Sequence, residues 1–189
     1  MTRSVGQRGF TLVELLVVIG IIAVLTGILV PSLGKARAMA KRTVCRSHLR
    51  SAAFAFRMYL DDNNHIMPPA ARLPSANLND KPPISDFILP FIKDAEALRC
   101  PADDGHRRKG RTQRYDETEG SSYEYWQEIG GKRVGVGYLT GRVIFNKERV
   151  HEREVQVLYD YTNFHGKLGR KGSVNYLYAD GHVGDRTVE

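Results

Sequence analysis

Residues 10–30 read FTLVELLVVIGIIAVLTGILV, and the reading of this stretch decides the fold. Fifteen of its 21 residues are Phe, Leu, Val or Ile, and only Glu14 is charged. At about 1.5 Å per residue, a helix of this length spans the roughly 30 Å hydrocarbon core of a bilayer. Each aliphatic residue near the bilayer centre favours insertion by about 0.3–0.6 kcal/mol, whereas a central charge opposes it by about 2.5–3.5 kcal/mol. Fifteen such gains, about 5–9 kcal/mol together, outweigh one Glu. Glu14 also stands near the start of the run, where its cost is lower.

Upstream lies MTRSVGQRG, a short basic leader that ends in Gly9 immediately before the apolar run opens at Phe10. A cleaved secretory signal has a shorter apolar region, about 7–15 residues, followed by a small-residue cleavage site. Here the run is longer, and PSLGKARAMA continues it as a helix. Glu14 raises a second question, because a carboxylate in lipid calls for a partner. Nothing within the helix supplies a cation at that depth. An amino group freed on Phe10 of a neighbouring copy would supply one, if the chain were cut after Gly9.

The junction Gly9-Phe10-Thr11-Leu12-Val13-Glu14-Leu15 resembles the G-F-T-L-x-E-L motif of type IV pilins and type II secretion pseudopilins. The resemblance covers roughly the first 60 residues. It implies that a prepilin peptidase in the membrane cuts after Gly9 and methylates Phe10. It also implies that Glu14 pairs with the Phe10 amine of an adjacent subunit during assembly, and that the long helix bends or locally melts at Pro31. The implied partners are sibling subunits in a helical filament, an assembly ATPase and its membrane platform. The implied location is the inner membrane, with a single pass, residues 1–9 cytoplasmic and the remainder periplasmic. Basic residues near the two flanks argue the other way: Arg3 and Arg8 stand against Lys35, Arg37, Lys41, Arg42, Arg46 and Arg50. The leader must meet its peptidase on the cytoplasmic side, so the motif sets the expected orientation.

From Ser32 to about Leu60 the pattern stays helical. Cys45, Leu49, Ala52, Phe56 and Leu60 recur at helical spacing, and Arg42, Arg46, Arg50 and Arg57 fall on another face. The arginines read as a solvated face or a subunit contact; no aromatic interleaves them as a nucleic-acid site would require. Asp61-Asp62-Asn63-Asn64 ends the helix. Seven of the eight prolines then fall between Pro68 and Pro101, leaving room in residues 84–100 for one or two helical turns. Residues Asp103 to Gly120 are highly charged and read as a mobile loop. Strand-like runs follow at Arg133–Leu139, Arg142–Phe145, Glu154–Tyr159 and Ser173–Ala179, separated by glycines as in an antiparallel sheet. The expected fold class is α+β, a long helix packed on a small antiparallel sheet in the pilin-like manner. The expected segments are the leader 1–9, a membrane and assembly helix 10–31, its amphipathic continuation 32–62, and a periplasmic domain 63–189.

With 42% hydrophobic and 26% charged residues, the whole chain is neither disordered nor a multi-span membrane protein. Two cysteines, Cys45 and Cys100, exclude a four-cysteine zinc site. In an oxidising periplasm they are candidates for a bridge, which would close a loop of about 55 residues and contribute roughly 4 kcal/mol in the chain-entropy model; two free thiols are the alternative. The net charge of +7 permits an acidic partner without demonstrating one.

The C-terminal run SVNYLYADGHV, residues 173–183, resembles a second signature, found in pilin-like proteins that end in a strand and a D-G-H-V turn with a His upstream. That pattern has nine residues between the His and the Asp-Gly. Here fourteen residues separate His165 from Asp180, which implies a longer loop over 166–172 and weakens any role carried over to His165. Asp180-Gly181 is itself a hairpin-turn signal. Asp160, His165, Asp180, His182 and Asp185 are the residues able to converge on a metal, with Asp160, Asp180 and Asp185 the calcium candidates. Calcium takes six to eight oxygens, and no dense acidic loop is present. No cofactor is expected. G-x-S-x-G, H-E-x-x-H and P-loop patterns are absent from the sequence. The function expected is structural: a pilin-like subunit of a type II secretion pseudopilus or a related type IV filament. The alternative is a minor tip subunit or pilin that binds cargo, DNA or a surface through Arg107–Arg114. A membrane-anchored periplasmic enzyme comes third.

Overall fold

Helix α1 runs Leu12–Asp62 with Pro31 as its one internal proline. The computed structural model describes residues 11–76, 80–92, 94–108, 111–133, 142–145, 148–151, 154–167 and 170–185. Leu, Val, Ile and Ala dominate the first half of α1, and Ala recurs through the second. Leu and Ala favour the helix, and the β-branched Val and Ile weaken it only slightly at each position. At Pro31 the chain stays helical rather than melting; the ring removes only one backbone donor. The helix ends in a left-handed turn at Asn64 and His65, with φ of 53° and 59°. There the Asn63 side-chain amide donates to the Tyr59 carbonyl at 2.8 Å and the His65 N–H to the Leu60 carbonyl at 2.7 Å, satisfying the last turn.

The chain divides into two compact units, residues up to Ala38 and residues from Met39 on. In the first, every described residue is exposed. In the second, α1 buries Cys45, Leu49, Ala52, Ala55, Phe56, Tyr59 and Leu60. This is the apolar stripe expected from the spacing, widened by Ala55 and Tyr59.

The proline-rich stretch packs against that stripe in short turns. Helix α2 (Ile84–Ile88) is followed by 3-10 turns at Leu89–Phe91 and Ala95–Leu98. Phe87 and Phe91 meet the Tyr59 ring edge-on, with centroids 6.0 and 6.2 Å away. Cys45 and Cys100 are joined by a disulfide, with Cα atoms 5.0 Å apart. Close by, His48 Nδ1 donates to the Arg99 carbonyl at 2.7 Å.

The described residues of 103–120 form regular structure, where their charge predicts a mobile loop. Strands β1 (His106–Arg108) and β2 (Arg111–Gln113) make an antiparallel hairpin, and helix α3 (Tyr115–Glu119) follows. The physical reason is Asp103, which is buried. Its carboxylate accepts from the Ser122 hydroxyl at 2.7 Å, the Tyr115 N–H at 3.0 Å and the Gly105 N–H at 3.0 Å. Charge in the sequence concealed a residue used as an internal acceptor.

Strand β3 (Tyr123–Tyr125) was absent from the sequence reading, yet all three of its residues are buried. The Tyr123 hydroxyl donates to the Cys45 carbonyl at 3.3 Å. Tyr125 stacks on Phe56, with ring centroids 6.2 Å apart, and its hydroxyl donates to the Pro68 carbonyl at 2.9 Å. Glu124 is ion-paired with Arg72 and accepts from the Tyr159 hydroxyl. The alternation Tyr-Glu-Tyr therefore has both sides covered, which a single half-buried strand pattern does not reveal.

Strands β4 (Arg142–Phe145) and β5 (Glu148–His151) form a second two-stranded hairpin. The main sheet has the order β3-β6-β7-β8, antiparallel throughout, with β6 at Gln156–Asp160, β7 at Tyr176–Tyr178 and β8 at Val183–Gly184. Three of the four expected strand runs thus hold strands, with shifted ends. Residues 134–139 of the fourth lie outside the described residues, and Arg133 bridges to Ile66. The α+β class stands: a long N-terminal helix with a small antiparallel sheet.

Candidate assembly helix and the buried polar cluster

The N-terminal segment presents an apolar surface to its surroundings. Leu12 is 78% exposed, Leu16 59% and Ile28 69%. This is the one described helix long and apolar enough to cross a membrane. At its start, the Thr11 N–H and hydroxyl donate to Glu14 Oε2 at 2.9 and 2.8 Å, and the Glu14 N–H donates to the Thr11 hydroxyl at 3.2 Å. This is a capping box, which satisfies the open end of the helix reciprocally. Thr-x-x-Glu was its signal in the sequence. Glu14 therefore has local hydrogen-bond donors, but they are neutral and supply no counter-charge. Gly9 and Phe10 lie outside the described residues.

The arginine stripe is not a uniformly solvated face. Arg42 is ion-paired with Asp185, and its Nε donates to Asn175 Oδ1 at 3.2 Å. Gly172, with φ of 85°, leaves the space Arg42 occupies; a Cβ there would lie 2.6 Å from Nη1. Arg46 donates to the Val183 carbonyl at 3.3 Å. Arg57 faces Asp61 one turn on, at 4.0 Å. The upper stripe thus ties α1 to the C-terminal hairpin. In the alternative binding loop, Arg114 is held by Asp116 and Glu117 at 3.0 and 3.2 Å. Its charge is offset by acids of the following helix.

The D-G-H-V tail is a turn. The Gly181 N–H donates to the Tyr178 carbonyl at 2.8 Å and the Tyr178 N–H to the His182 carbonyl at 3.0 Å. Gly181 takes φ of 88°, a conformation that favours glycine. Asp180 accepts from the His182 N–H at 3.0 Å, and His182 stacks on Tyr178 with ring centroids 4.2 Å apart. Val183 pairs with Leu177.

The five metal candidates do not assemble into one set. Asp180 pairs with His182, Asp185 with Arg42, and Asp160 lies with His165 and Asn175. The calcium set Asp160, Asp180 and Asp185 is divided in the same way. Asp160 and His165 do meet, with Oδ2 and Nε2 3.5 Å apart and both side chains almost wholly buried. Asp160 Oδ2 accepts from the Asn175 N–H at 2.7 Å and from its side-chain amide at 3.1 Å. Burial pushes the Asp160 carboxyl up to about 7, against the Asn175 donors that favour its charged form. Burial, with Arg42 adding its positive charge, lowers His165 to about 4. His165 Nε2 also lies 3.5 Å from Cys100 Sγ.

A groove of about 600 Å³ beside β7 and β8 is lined by apolar residues, among them Phe56, Leu60, Met67, Val157 and Leu177, together with Arg50, Arg57, His65, Asp180 and His182.

Residues 5–30 match the prokaryotic N-terminal methylation motif. The chain is 34% identical over 103 residues to the type II secretion system core protein G of Escherichia coli, covering 54% of this chain and 70% of the relative. The chain belongs to the type IV pilin-like family. Other relatives of this pilin-like chain agree. It is 44% identical over 84 residues to the type IV wide pilus major component PilA4 of Thermus thermophilus, covering 44% of this chain and 64% of that protein. It is 35% identical over 97 residues to the type II secretion system core protein G of Pectobacterium carotovorum, covering 51% and 61%. The chain thus spans roughly two thirds of the length of these curated relatives. No solved structure matches it.

Proposed function

We propose that this protein is a structural filament subunit, a pseudopilin of a type II secretion pseudopilus or a related type IV fibre, which polymerises through its N-terminal helix. The observation that carries the reading is the apolar length of α1, exposed at every residue from Thr11 to Val30 and closed at its start by one carboxylate. Such a surface requires lipid or other apolar helices around it. Before assembly it anchors the chain in the inner membrane with residues 1–9 in the cytoplasm. In the fibre the same residues pack against sibling helices.

The relatives named as pilus component and secretion core protein support both destinations, and the motif supports processing between Gly9 and Phe10 by prepilin peptidase, with methylation of Phe10. An assembly ATPase and membrane platform complete the machinery. Glu14 provides the counter-charge for the incoming Phe10 amine, and Pro31 marks a place where packing can bend the helix. A role in catalysis is not part of this reading.

Intact-mass measurement of membrane-extracted protein tests the processing step. The mature chain should begin at N-methyl-Phe10, with Arg3 and Arg8 removed. Assembled protein that still carries residues 1–9 would overturn it.

A further inference from the structure

Beneath the sheet, three metal-ligating groups meet in a buried place that assembly does not use, and a fourth, Asp160, stands beside one of them. The Cys45 Sγ, Cys100 Sγ and a ring nitrogen of His165 all lie within 4.8 Å of one another. Asp160 Oδ2 stands 3.5 Å from His165 Nε2. Both cysteines and Asp160 are at most 2% exposed, and the His165 side chain is 1% exposed. Two polar atoms of this cluster, Asp160 Oδ1 and His165 Nδ1, are buried without a hydrogen-bond partner. Unsatisfied buried groups are costly, and Asp160 Oδ1 is one that an ion would satisfy; His165 Nδ1 is the ring nitrogen other than the Nε2 that faces Cys100 and Asp160.

We propose that in its dithiol form this chain holds a zinc-class divalent cation through Cys45 Sγ, Cys100 Sγ, His165 Nε2 and the Asp160 carboxylate, so that metal and disulfide are alternative staples between α1 and the segment ending at Pro101. Two of the separations already suit a tetrahedron; the Asp160 carboxylate, which stands outside the 4.8 Å group of the other three, must close on the sulfurs to complete it. Metal–sulfur bonds of about 2.3 Å and metal–nitrogen or metal–oxygen bonds of about 2.0 Å place S and N about 3.5 Å apart, and N and O about 3.3 Å apart. The Cys100–His165 and His165–Asp160 distances are both 3.5 Å. The two sulfurs must move to about 3.8 Å from each other, which the same bond lengths require.

The surroundings fit a soft cation. Asn175 holds Asp160 Oδ2 with two N–H groups, as outer partners of ligating carboxylates do. Two thiolates, one carboxylate and a dication leave a charge of −1, and Arg42 reaches this cluster through Asn175 Oδ1. Calcium, which prefers oxygen, is disfavoured by the sulfurs. Burial of both sulfurs argues against a thiol-exchange centre serving other proteins.

The chemistry balances without an unnamed reactant. The chain is synthesised with two thiols. Metal binding forms two metal–sulfur bonds and releases the two thiol protons, with any proton on the Asp160 carboxyl, and transfers no electron. Oxidation by a disulfide-class oxidant removes two electrons, forms the Cys45–Cys100 bond, reduces the oxidant to a dithiol with two protons taken up from water, and frees the cation. In the reverse direction a phosphine and water supply two electrons and two protons and become phosphine oxide.

The test uses the full chain in detergent, reduced with a phosphine under anaerobic conditions and titrated with cobalt(II), then zinc. One cobalt per chain is expected, with thiolate charge-transfer and tetrahedral ligand-field bands that zinc abolishes. The oxidised chain should show none. Asn175→Ala should weaken binding by about 10–100-fold, and His165→Ala should weaken it further. If reduction loosens the fold, zinc should restore protease resistance. Bands without dependence on His165, equal binding by the oxidised chain, or a reduced chain that neither binds nor regains resistance would each overturn the proposal. None of these results bears on processing or fibre assembly, so the proposal stands or falls separately from the filament role.

Discussion

Helix α1 contains two aliphatic stretches of one continuous secondary structure, and they are treated in opposite ways. Leu16 is 59% exposed, whereas Leu49 is fully buried. From Thr11 to Lys41 every residue is exposed; from Cys45 onward one apolar stripe is covered by tyrosines, prolines and short turns, while Phe54 and Met58 stay exposed. The first stretch is apolar all round, so no fold of this chain could bury it on one side. The second is apolar on one stripe, so a domain could form against it. Helix propensity is shared by both; only the distribution of apolar residues around the axis separates a segment that needs outside partners from one that needs its own chain.

The largest effect expected from breaking this division lies at the staple. Cys45→Ala with Cys100→Ala should destabilise the domain by about 4 kcal/mol, the chain-entropy value for a 55-residue loop. Denaturant unfolding in detergent measures it. Membrane retention should be unchanged, because the first stretch is untouched.

A sharper comparison substitutes the same residue in each stretch. Leu49→Ala should cost about 2–5 kcal/mol of domain stability, because a cavity opens under the sheet. Leu16→Ala should leave domain unfolding unchanged in the same measurement. Equal losses would show that the two stretches are not separate energetically.

Much of this division was legible beforehand. The motif at Gly9–Leu15 and the spacing of Cys45, Leu49, Ala52, Phe56 and Leu60 gave the helix, its two halves and the family resemblance. What remained hidden was polar. Asp103 among charged neighbours, Glu124 inside β3, and Arg42 within a basic stripe carry no local mark of burial, because their partners Ser122, Arg72 and Asp185 are distant in sequence or topologically unforeseen. The hairpin at Asp180-Gly181 was readable because a turn is a local event. The meeting of Asp160 with Asn175 depended on the chain before β7 returning beside the end of β6, a nonlocal fact.

That buried pair makes a subtler prediction. Asp160 is raised to about 7 in the fold, so its contribution to stability is full below its unfolded value of about 3.8 and is lost as pH rises toward 7. His165 is lowered to about 4, so the unfolded chain binds its proton more readily below about 6.5 and stability is lost as pH falls from about 6.5 to 4. Between about pH 4 and 6.5 the two slopes oppose each other, and the pair contributes little net dependence. Each variant should expose one of them. His165→Gln should make stability fall as pH rises across that window. Asp160→Asn should make it rise with pH. Each slope is at most about 1.4 kcal/mol per pH unit, the value for one proton. Unfolding midpoints across the window, measured for both variants, check the opposite signs; slopes of the same sign would contradict the assignment.

The central claim is that the exposed stretch of α1 is an assembly element whose carboxylate meets a neighbour's amine. Glu14→Gln tests it most directly. Glutamine can still serve in the capping box with Thr11, so the helix start survives while the charge is lost. Membrane insertion should become easier, and cleavage after Gly9 should continue. In cells lacking the native copy, processed Glu14→Gln protein should accumulate while sheared or cross-linked fibre is nearly absent, because an unpaired amine in the fibre core costs several kcal/mol at each subunit addition. Normal fibre yield at normal processing would contradict the account.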